Sequence, residues 1–265
     1  MRRTWRALVL MIAGTLALPA SAQTPPSKPP AAARPPAAKL PEEKPYKPIA
    51  VKISPAPGDP AFATFRQELA AAAKSRVYGE LARLVVARDF FWEGNVRGVD
   101  PARSSMENFA AAIRLEHEGG SGWSALAAFA AASTAAPLAS RSGVICAPAA
   151  PQYDLVDFDQ VIAATGTRAA AWRYLGEADV PLRAAPRPNA RSVEMLGPQI
   201  VRPLHGDGID NSEAARAGWA LVAAPSGKTG YVAAAMLMPL RSDKLCYHKD
   251  VTGRWRIAGY IAAGD

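Results

Sequence analysis

Two cysteines, Cys146 and Cys246, are the strongest nucleophiles that the sequence offers. A catalytic cysteine typically lies at the start of a helix, with a histidine elsewhere in the fold to activate it. Pro148 closely follows Cys146, and a proline disfavours helix at the residue before it. Cys246 lies in an alternating apolar pattern that predicts a strand. Neither position fits a thiol nucleophile.

The three histidines, His117, His205 and His248, are the next residues that could bind a metal ion or transfer a proton. Zinc sites draw their ligands from residues at short, fixed spacings. These histidines are far apart in the sequence and have no such spacing. We therefore predict no metal site and no cofactor, and we place the histidines at polar surface positions.

Three further patterns resemble functional motifs but are incomplete. Residues 227–229 read Gly-Lys-Thr, but Val222 stands where a phosphate-binding loop needs its first glycine. Trp123 replaces the second glycine of a nucleophile elbow after residues 119–122. The aspartates between residues 154 and 159 lack the glycine and the distal glutamate of a calcium loop. We predict turns, a helix break and helix caps at these positions.

Residues 1–22 have the three parts of a secretory signal peptide. Arginines open the chain, residues 7–18 form an apolar run, and Ala-Ser-Ala at residues 20–22 is a typical cleavage site. The apolar run is shorter than the roughly twenty residues that a spanning helix needs. We therefore predict a periplasmic or secreted protein with no membrane span in its mature chain. An uncleaved anchor is the alternative.

The segment that follows, residues 23–58, is rich in proline and alanine. Twelve of the chain's 24 prolines fall between residues 24 and 60. Such a composition cannot bury a core, so we predict an extended, disordered linker. Its role could be a spacer or a basic arm on an anionic surface, and a tail with no partner is the alternative.

The positive charge of the chain is concentrated at its N-terminus. Residues 1–52 contain nine lysines and arginines and two acidic residues, whereas the rest contains 22 basic and 21 acidic residues. Proteins that bind nucleic acid gather positive charge on a folded domain. We therefore predict no nucleic-acid partner.

Export also bears on the two cysteines. An even number of cysteines in an exported protein usually forms disulfides. We predict a bond between Cys146 and Cys246, with two separate buried thiols as the alternative.

Apolar spacing predicts a helix-rich α+β domain over residues 59–175. Asp59-Pro60 is a typical helix start, and one apolar face continues from there to about Arg88. A Ser-x-x-Glu capping box beginning at Ser104 predicts a second helix. The pattern therefore places at least two amphipathic helices before residue 115.

Further elements complete this predicted domain. Apolar residues around Trp123 predict a third helix, and Asp157 is the predicted cap of a fourth. Residues 90–92 form a short, bulky apolar run that predicts a strand. Residues 241–265 read as two alternating strands, and an isolated hairpin is only marginally stable in water. We therefore expect this hairpin to complete the α+β domain.

Residues 176–240 contain short apolar runs separated by glycine, proline and asparagine, which predict four or five brief strands. The cues in order are Val-x-x-Arg-x-x-Pro from residue 180, two further valine runs, Gly-Trp at residues 218–219 and Gly-Tyr-Val at residues 230–232. This order resembles a bacterial SH3-like domain. The resemblance implies a small β-barrel that binds ligands, here predicted to be inserted within the α+β domain.

The resemblance places the ligand-binding residues at Arg183, Trp219 and Tyr231. Aromatic side chains give peptides or glycans a flat contact area at low entropic cost. The alternative is that Trp219 and Tyr231 fill the barrel core. The function that follows is a non-enzymatic binding module at the cell envelope, which recognises peptidoglycan peptide or an envelope protein.

Two other functions stay open from the sequence. The first is a cell-envelope enzyme whose site lies in the α+β domain, around Glu93, His117 and Trp123. The second is a structural tether in which the proline-rich segment sets the spacing.

The signal-peptide features generate a direct prediction. Cleavage after Ala22 should give a mature chain that begins at Gln23, because the small residues at 20–22 fit signal peptidase. Intact mass of the periplasmic fraction measures this. A membrane-bound product that retains residues 1–22 would show an anchor instead.

Overall fold

The computed structural model describes residue 40 and residues 42–116, 119–204 and 212–264. The predicted signal peptide and the first half of the predicted linker lie outside these residues. The described part is a mixture of helices and strands, so the predicted α+β class is confirmed. Its residues belong to one compact unit.

Six α-helices lie in the described part. The helices are α1 (Pro60–Ser75), α2 (Tyr78–Ala82), α3 (Ser105–Ala112), α4 (Ser121–Ala131), α5 (Leu155–Thr165) and α6 (Glu213–Arg216).

Capping residues set the ends of these helices. Asp59 accepts a hydrogen bond from the Ala61 N–H at the start of α1, and Ser104 and Glu107 form the complete capping box of α3. The apolar face predicted to continue to about Arg88 ends earlier, because Arg76 adopts a left-handed backbone with φ 55°. The chain then resumes as the separate, short helix α2.

The cap of α5 also differs from the prediction. Asp154, not Asp157, accepts the capping hydrogen bond, and its donor is the Asp157 N–H at 2.9 Å. Asp157 lies in the first turn of the helix, where a carboxylate interacts favourably with the helix dipole. Both Asp154 and Asp157 are typical residues at a helix start, and only the backbone geometry shows which of them is the cap.

Twelve strands form two sheets in the described part. They are β1 (Phe91–Glu93), β2 (Ala136–Pro137), β3 (Ile145–Ala147), β4 (Arg173–Leu175), β5 (Val180–Arg183), β6 (Ser192–Leu196), β7 (Gln199–Pro203), β8 (Trp219–Ala223), β9 (Thr229–Ala233), β10 (Leu237–Pro239), β11 (Lys244–Lys249) and β12 (Trp255–Ile261).

The first sheet has the order β1-β12-β11-β3-β2. The C-terminal strands β11 and β12 lie at its centre, and β1 joins them by parallel pairing with β12. Helices α1 and α3 contact β12, and α1 also packs on α4. The main core forms between these helices and the sheet, with Phe62, Leu69, Phe109, Leu245 and Tyr247 fully or almost fully buried.

The opposite face of the first sheet carries the disulfide. Cys146 on β3 and Cys246 on β11 are directly opposed and bonded, with their Cα atoms 4.0 Å apart. The predicted pairing is therefore present. Next to Cys246, Gly259 allows the Phe91 ring to lie against the backbone, because a Cβ at residue 259 would be 2.4 Å from that ring.

The second sheet contains β4 to β10 in the order β10-β4-β7-β8-β9-β5-β6. All its described pairings are antiparallel, and β10 and β6 lie at opposite edges. The described strands therefore do not close into the barrel that the resemblance implied. One face buries its own cluster, which includes Leu182, Val222 and Val232.

The second half of the predicted linker differs from the expected disordered segment. Val51 and Lys52 form backbone hydrogen bonds with Pro198 and Gln152. Ile49 and Val51 are buried with Trp172 in a third cluster, on the outside of β4 and β7. Apolar residues alternate along this proline-rich stretch. The segment therefore packs in an extended conformation and is not a strand of either sheet.

None of the helices in the described part is both long and apolar enough to cross a membrane.

The disulfide closes a loop with a sequence separation of 100 residues. Replacing both Cys146 and Cys246 with serine should lower the free energy of unfolding by about 2–4 kcal/mol, since the unfolded chain gains freedom. Urea unfolding of the variant and of the reduced wild type measures this, and the two should agree. An unchanged urea midpoint in both samples would contradict the prediction.

Candidate ligand-binding face

Two of the three predicted site residues are neighbours in the second sheet. Arg183 on β5 lies opposite Tyr231 on β9, and Tyr231 lies opposite Leu221 on β8. Directly opposed residues of antiparallel strands place their side chains on the same face, about 5 Å apart. Arg183, Tyr231 and Leu221 therefore form one row across three strands.

Trp219 lies two residues before Leu221 on β8, so it is on the same side of the sheet as this row. We call the surface formed by Arg183, Trp219, Leu221 and Tyr231 the outer face. Leu221 was not predicted as a site residue, although its spacing from Trp219 could have indicated it. The outer face thus combines one cation with two half-buried aromatic rings, whereas Leu221 in the same row is buried, with 9% of its surface exposed.

The outer face is opposite the core of the second sheet. That core uses the alternate residues of the same strands, such as Leu182, Val222 and Val232. Trp219 and Tyr231 are half-buried and do not belong to it. In the part of the chain that the structure describes, the two rings therefore lie outside the buried cluster of this sheet, unlike in the alternative in which they fill a barrel core.

Arg183 is held by the loop that joins β5 and β6. Its Nη1 donates a hydrogen bond to the Ala190 carbonyl over 2.9 Å. A guanidinium has five N–H donors, and this bond uses one of them. The bond fixes the direction of the side chain and leaves donors that can pair with a carboxylate.

The hairpin that carries Tyr231 is fixed at its turn. Glu43 donates its N–H to the Gly227 carbonyl over 2.9 Å, so the N-terminal segment lies against this turn. Gly227 has φ 83°, and a Cβ there would be 2.5 Å from the Glu43 carbonyl oxygen. The Gly-Lys-Thr triplet at residues 227–229 is thus a hairpin turn, as its incomplete motif predicted.

The residues of the alternative enzyme site are only partly described. Glu93 on β1 forms an ion pair with Arg141 over 3.9 Å, and Trp123 on α4 packs against the main core. His117 lies outside the described residues, as does His205. The predicted grouping of Glu93, His117 and Trp123 therefore stays an untested hypothesis.

Other potential chemical groups have structural partners. Both cysteine sulfurs are bonded to each other, and a disulfide sulfur is not a thiolate nucleophile. Within residues that the structure describes, no group of three metal-ligating side chains occurs. His248 on β11 pairs through Nδ1 with the Lys249 carbonyl.

The largest pKa changes arise from packing and capping. Burial raises the pKa of the Tyr46 and Tyr247 hydroxyls well above the usual range. Burial also raises the pKa of Tyr260, and its hydrogen bond to Asp243 adds to this effect. These shifts keep the phenols neutral, so none of them prepares a proton-transfer group near neutral pH.

Asp59 joins the first helix to the central hairpin. Its carboxylate accepts hydrogen bonds from Lys249 Nζ over 2.9 Å and from Trp255 Nε1 over 3.0 Å. Together with the bond from the Ala61 N–H, these donors lower the pKa of Asp59 from 3.8 to about 2. The carboxylate thus stays charged in the folded protein at pH values where it would be protonated in the unfolded chain.

Comparison of the chain with protein-family models, curated proteins and solved structures gives no significant match. The chemistry of the outer face is therefore argued from its own residues.

The Asp59 contacts predict a pH-dependent contribution to stability. A lowered carboxyl pKa stabilises the fold above the unfolded value near 4, and this contribution is lost as the pH falls through about 2. Asp59→Asn keeps a capping oxygen but removes the charge. The variant should therefore melt below the wild type at pH 6, and the difference should shrink towards pH 2.

Thermal unfolding of both proteins across this pH range measures the difference. Other carboxylates, such as Asp250, titrate in both proteins, so their effects cancel in the comparison. A difference in melting temperature that stays constant from pH 6 to pH 2 would assign the effect to geometry instead of charge.

Proposed function

We propose that this protein is a non-enzymatic binding module of the bacterial cell envelope. The outer face of the second sheet is the proposed ligand-binding surface. The observation that carries the proposal is that Trp219 and Tyr231 are half-buried on this face, while other residues of the same strands form the core. Aromatic rings that do not fill a core are available as contact surface for a ligand.

The order of strands supports a relation to SH3-like domains. Strands β5 to β9 are short, antiparallel and joined in part by tight turns, and they bury one face. We propose that residues 176–240 are a variant of this domain, with β10 and β6 as open edges.

Two features support export. The N-terminal sequence has the parts of a signal peptide, and the disulfide is typical of proteins in oxidising compartments. We propose that the protein acts in the periplasm or outside the cell. Peptidoglycan and envelope proteins are the partners available there.

The chemistry of the outer face favours an extended peptide with a free carboxylate. The Arg183 guanidinium can pair with a carboxylate through two parallel hydrogen bonds. Tyr231 and Trp219 lie beside it and can stack on the backbone or on a sugar ring. Peptidoglycan stem peptides have an extended backbone and a free carboxylate. An extended segment of an envelope protein is the second ligand of this class.

Co-sedimentation with purified peptidoglycan tests the proposal. Tyr231→Ala and Trp219→Ala should each reduce binding about fivefold, the effect of losing about 1 kcal/mol of binding free energy. Since both rings are half-exposed, the variants should keep folded circular dichroism spectra. Loss of folding would instead place these rings in the core.

The matched control is Val251→Ala. Val251 is fully exposed in the turn between β11 and β12 of the first sheet, so its removal should leave binding unchanged. If folded Tyr231 and Trp219 variants sediment as well as the wild type, the outer face is not the binding surface.

A further inference from the structure

A second surface with ligand-binding chemistry lies between helix α4 and the second sheet. A cavity of about 690 Å³ separates helix α4 from the region around β10. We call it the α4 groove. Its volume is in the range of small-molecule sites, which is about 300–1,000 Å³. None of the four outer-face residues lines this groove, so it is a separate site.

Small side chains on α4 leave the space open. Alanines 125, 128 and 131 line the groove along this helix, and their short side chains leave space before the opposite wall. Met236 and Met238 form part of that wall, and Met238 is 39% exposed. Methionine is flexible and polarisable, so it adapts to apolar ligands of different shapes. The groove therefore offers apolar walls that nothing in the described structure fills.

The charged side chains that the structure describes at the groove are negative. Glu177 and Asp243 line it, and among the residues that the structure describes no lysine, arginine or histidine lines it. Asp243 accepts a hydrogen bond from the Ala263 N–H over 2.8 Å, and Tyr260 donates a second one. Glu177 is exposed before β5. The charged side chains described on the groove are therefore carboxylates, whose charge complements that of a cation.

A neighbouring cavity has the opposite preference. It encloses about 620 Å³ and shares Phe129 and Asp243 with the α4 groove. Arg97 and Arg114 line the neighbouring cavity but not the groove. A carboxylate ligand would be attracted to these guanidinium groups. The charge of the ligand thus distinguishes binding in the groove from binding next to it.

We infer that the α4 groove binds an apolar organic cation, meaning a hydrocarbon body that carries a protonated amine. The body packs between the α4 alanines and the two methionines, and the amine pairs with Glu177 and Asp243. This inference goes beyond the proposed function and does not depend on it.

Three probes with the same hydrocarbon chain test the charge preference. Octylammonium, octanol and octanoate are titrated into the purified protein by calorimetry at neutral pH and low salt. Octylammonium should bind about fivefold more tightly than octanol, since one partly exposed ion pair contributes up to about that factor. Octanoate should bind most weakly. Tightest binding of octanoate would overturn the inference and favour the arginine-lined cavity.

Paired variants of α4 test the location. Ala128→Trp should fill the groove and weaken octylammonium binding more than tenfold, because the indole takes the volume of the hydrocarbon chain. Ala127→Trp is the matched control, since Ala127 is exposed on the same helix but does not line the groove. Equal binding by the two variants would overturn the inference.

Glu177→Gln tests the charge without adding volume. This exposed substitution should keep the fold and reduce the preference for octylammonium over octanol about threefold. Octanol binding should not change. An unchanged preference in this variant would overturn the assigned pairing, even if Ala128→Trp failed to fold.

Discussion

The central position of the C-terminal hairpin in the first sheet is the constraint on which the rest of the structure depends. Strand β12 lies between β1 and β11, so the sheet joins residues from near both ends of the described chain. Tyr247 on β11 packs its ring on Phe62 and Phe65 of α1, and Ile257 on β12 is fully buried. Burying side chains of this size contributes about 1.5–3 kcal/mol each. Without the hairpin, the helices would have no sheet to cover.

This arrangement also determines where ligands can bind. The segment of chain that forms the second sheet begins after β3 and ends before β11. Both of its ends are therefore attached to strands of the first sheet. The N-terminal segment adds contacts at Gly227 and at Gln152. The hairpin of the outer face is therefore supported at its turn, and the α4 groove has walls from helix α4 and from strands of the second sheet. Surfaces built on such fixed elements lose little conformational entropy when a ligand binds.

Local features of the sequence predicted much of this fold. The caps at Asp59 and Ser104 involve residues within three positions of each other, so their spacing alone indicates the helix starts. The cysteine pair followed from a count and from the expected compartment. The resemblance named Arg183 and Tyr231 as site residues, and the sheet register then showed that they are directly opposed on β5 and β9.

Features that depend on distant residues were not predictable in this way. Ile49 and Val51 lie among prolines, and their burial depends on Trp172 and Ile200, more than a hundred residues later. Arg76 ends α1 in a left-handed conformation within an apolar pattern that continues past it. The α4 groove brings alanines of one helix near methionines about a hundred residues away. No local spacing encodes such a contact, because it exists only after the sheets have formed.

The hydrogen bond from Trp255 to Asp59 spans 196 residues of sequence, and that from Tyr46 to the Ala223 carbonyl spans 177. Contacts between residues so far apart form late, because long loops must close before they stabilise anything. During synthesis from the N-terminus, strand β1 has no partner until residues 255–261 have been made. The first sheet is thus incomplete until after the segment that forms the second sheet has been made. The second sheet uses strands from residues 173–239 alone, so its strands can pair before β11 has been made.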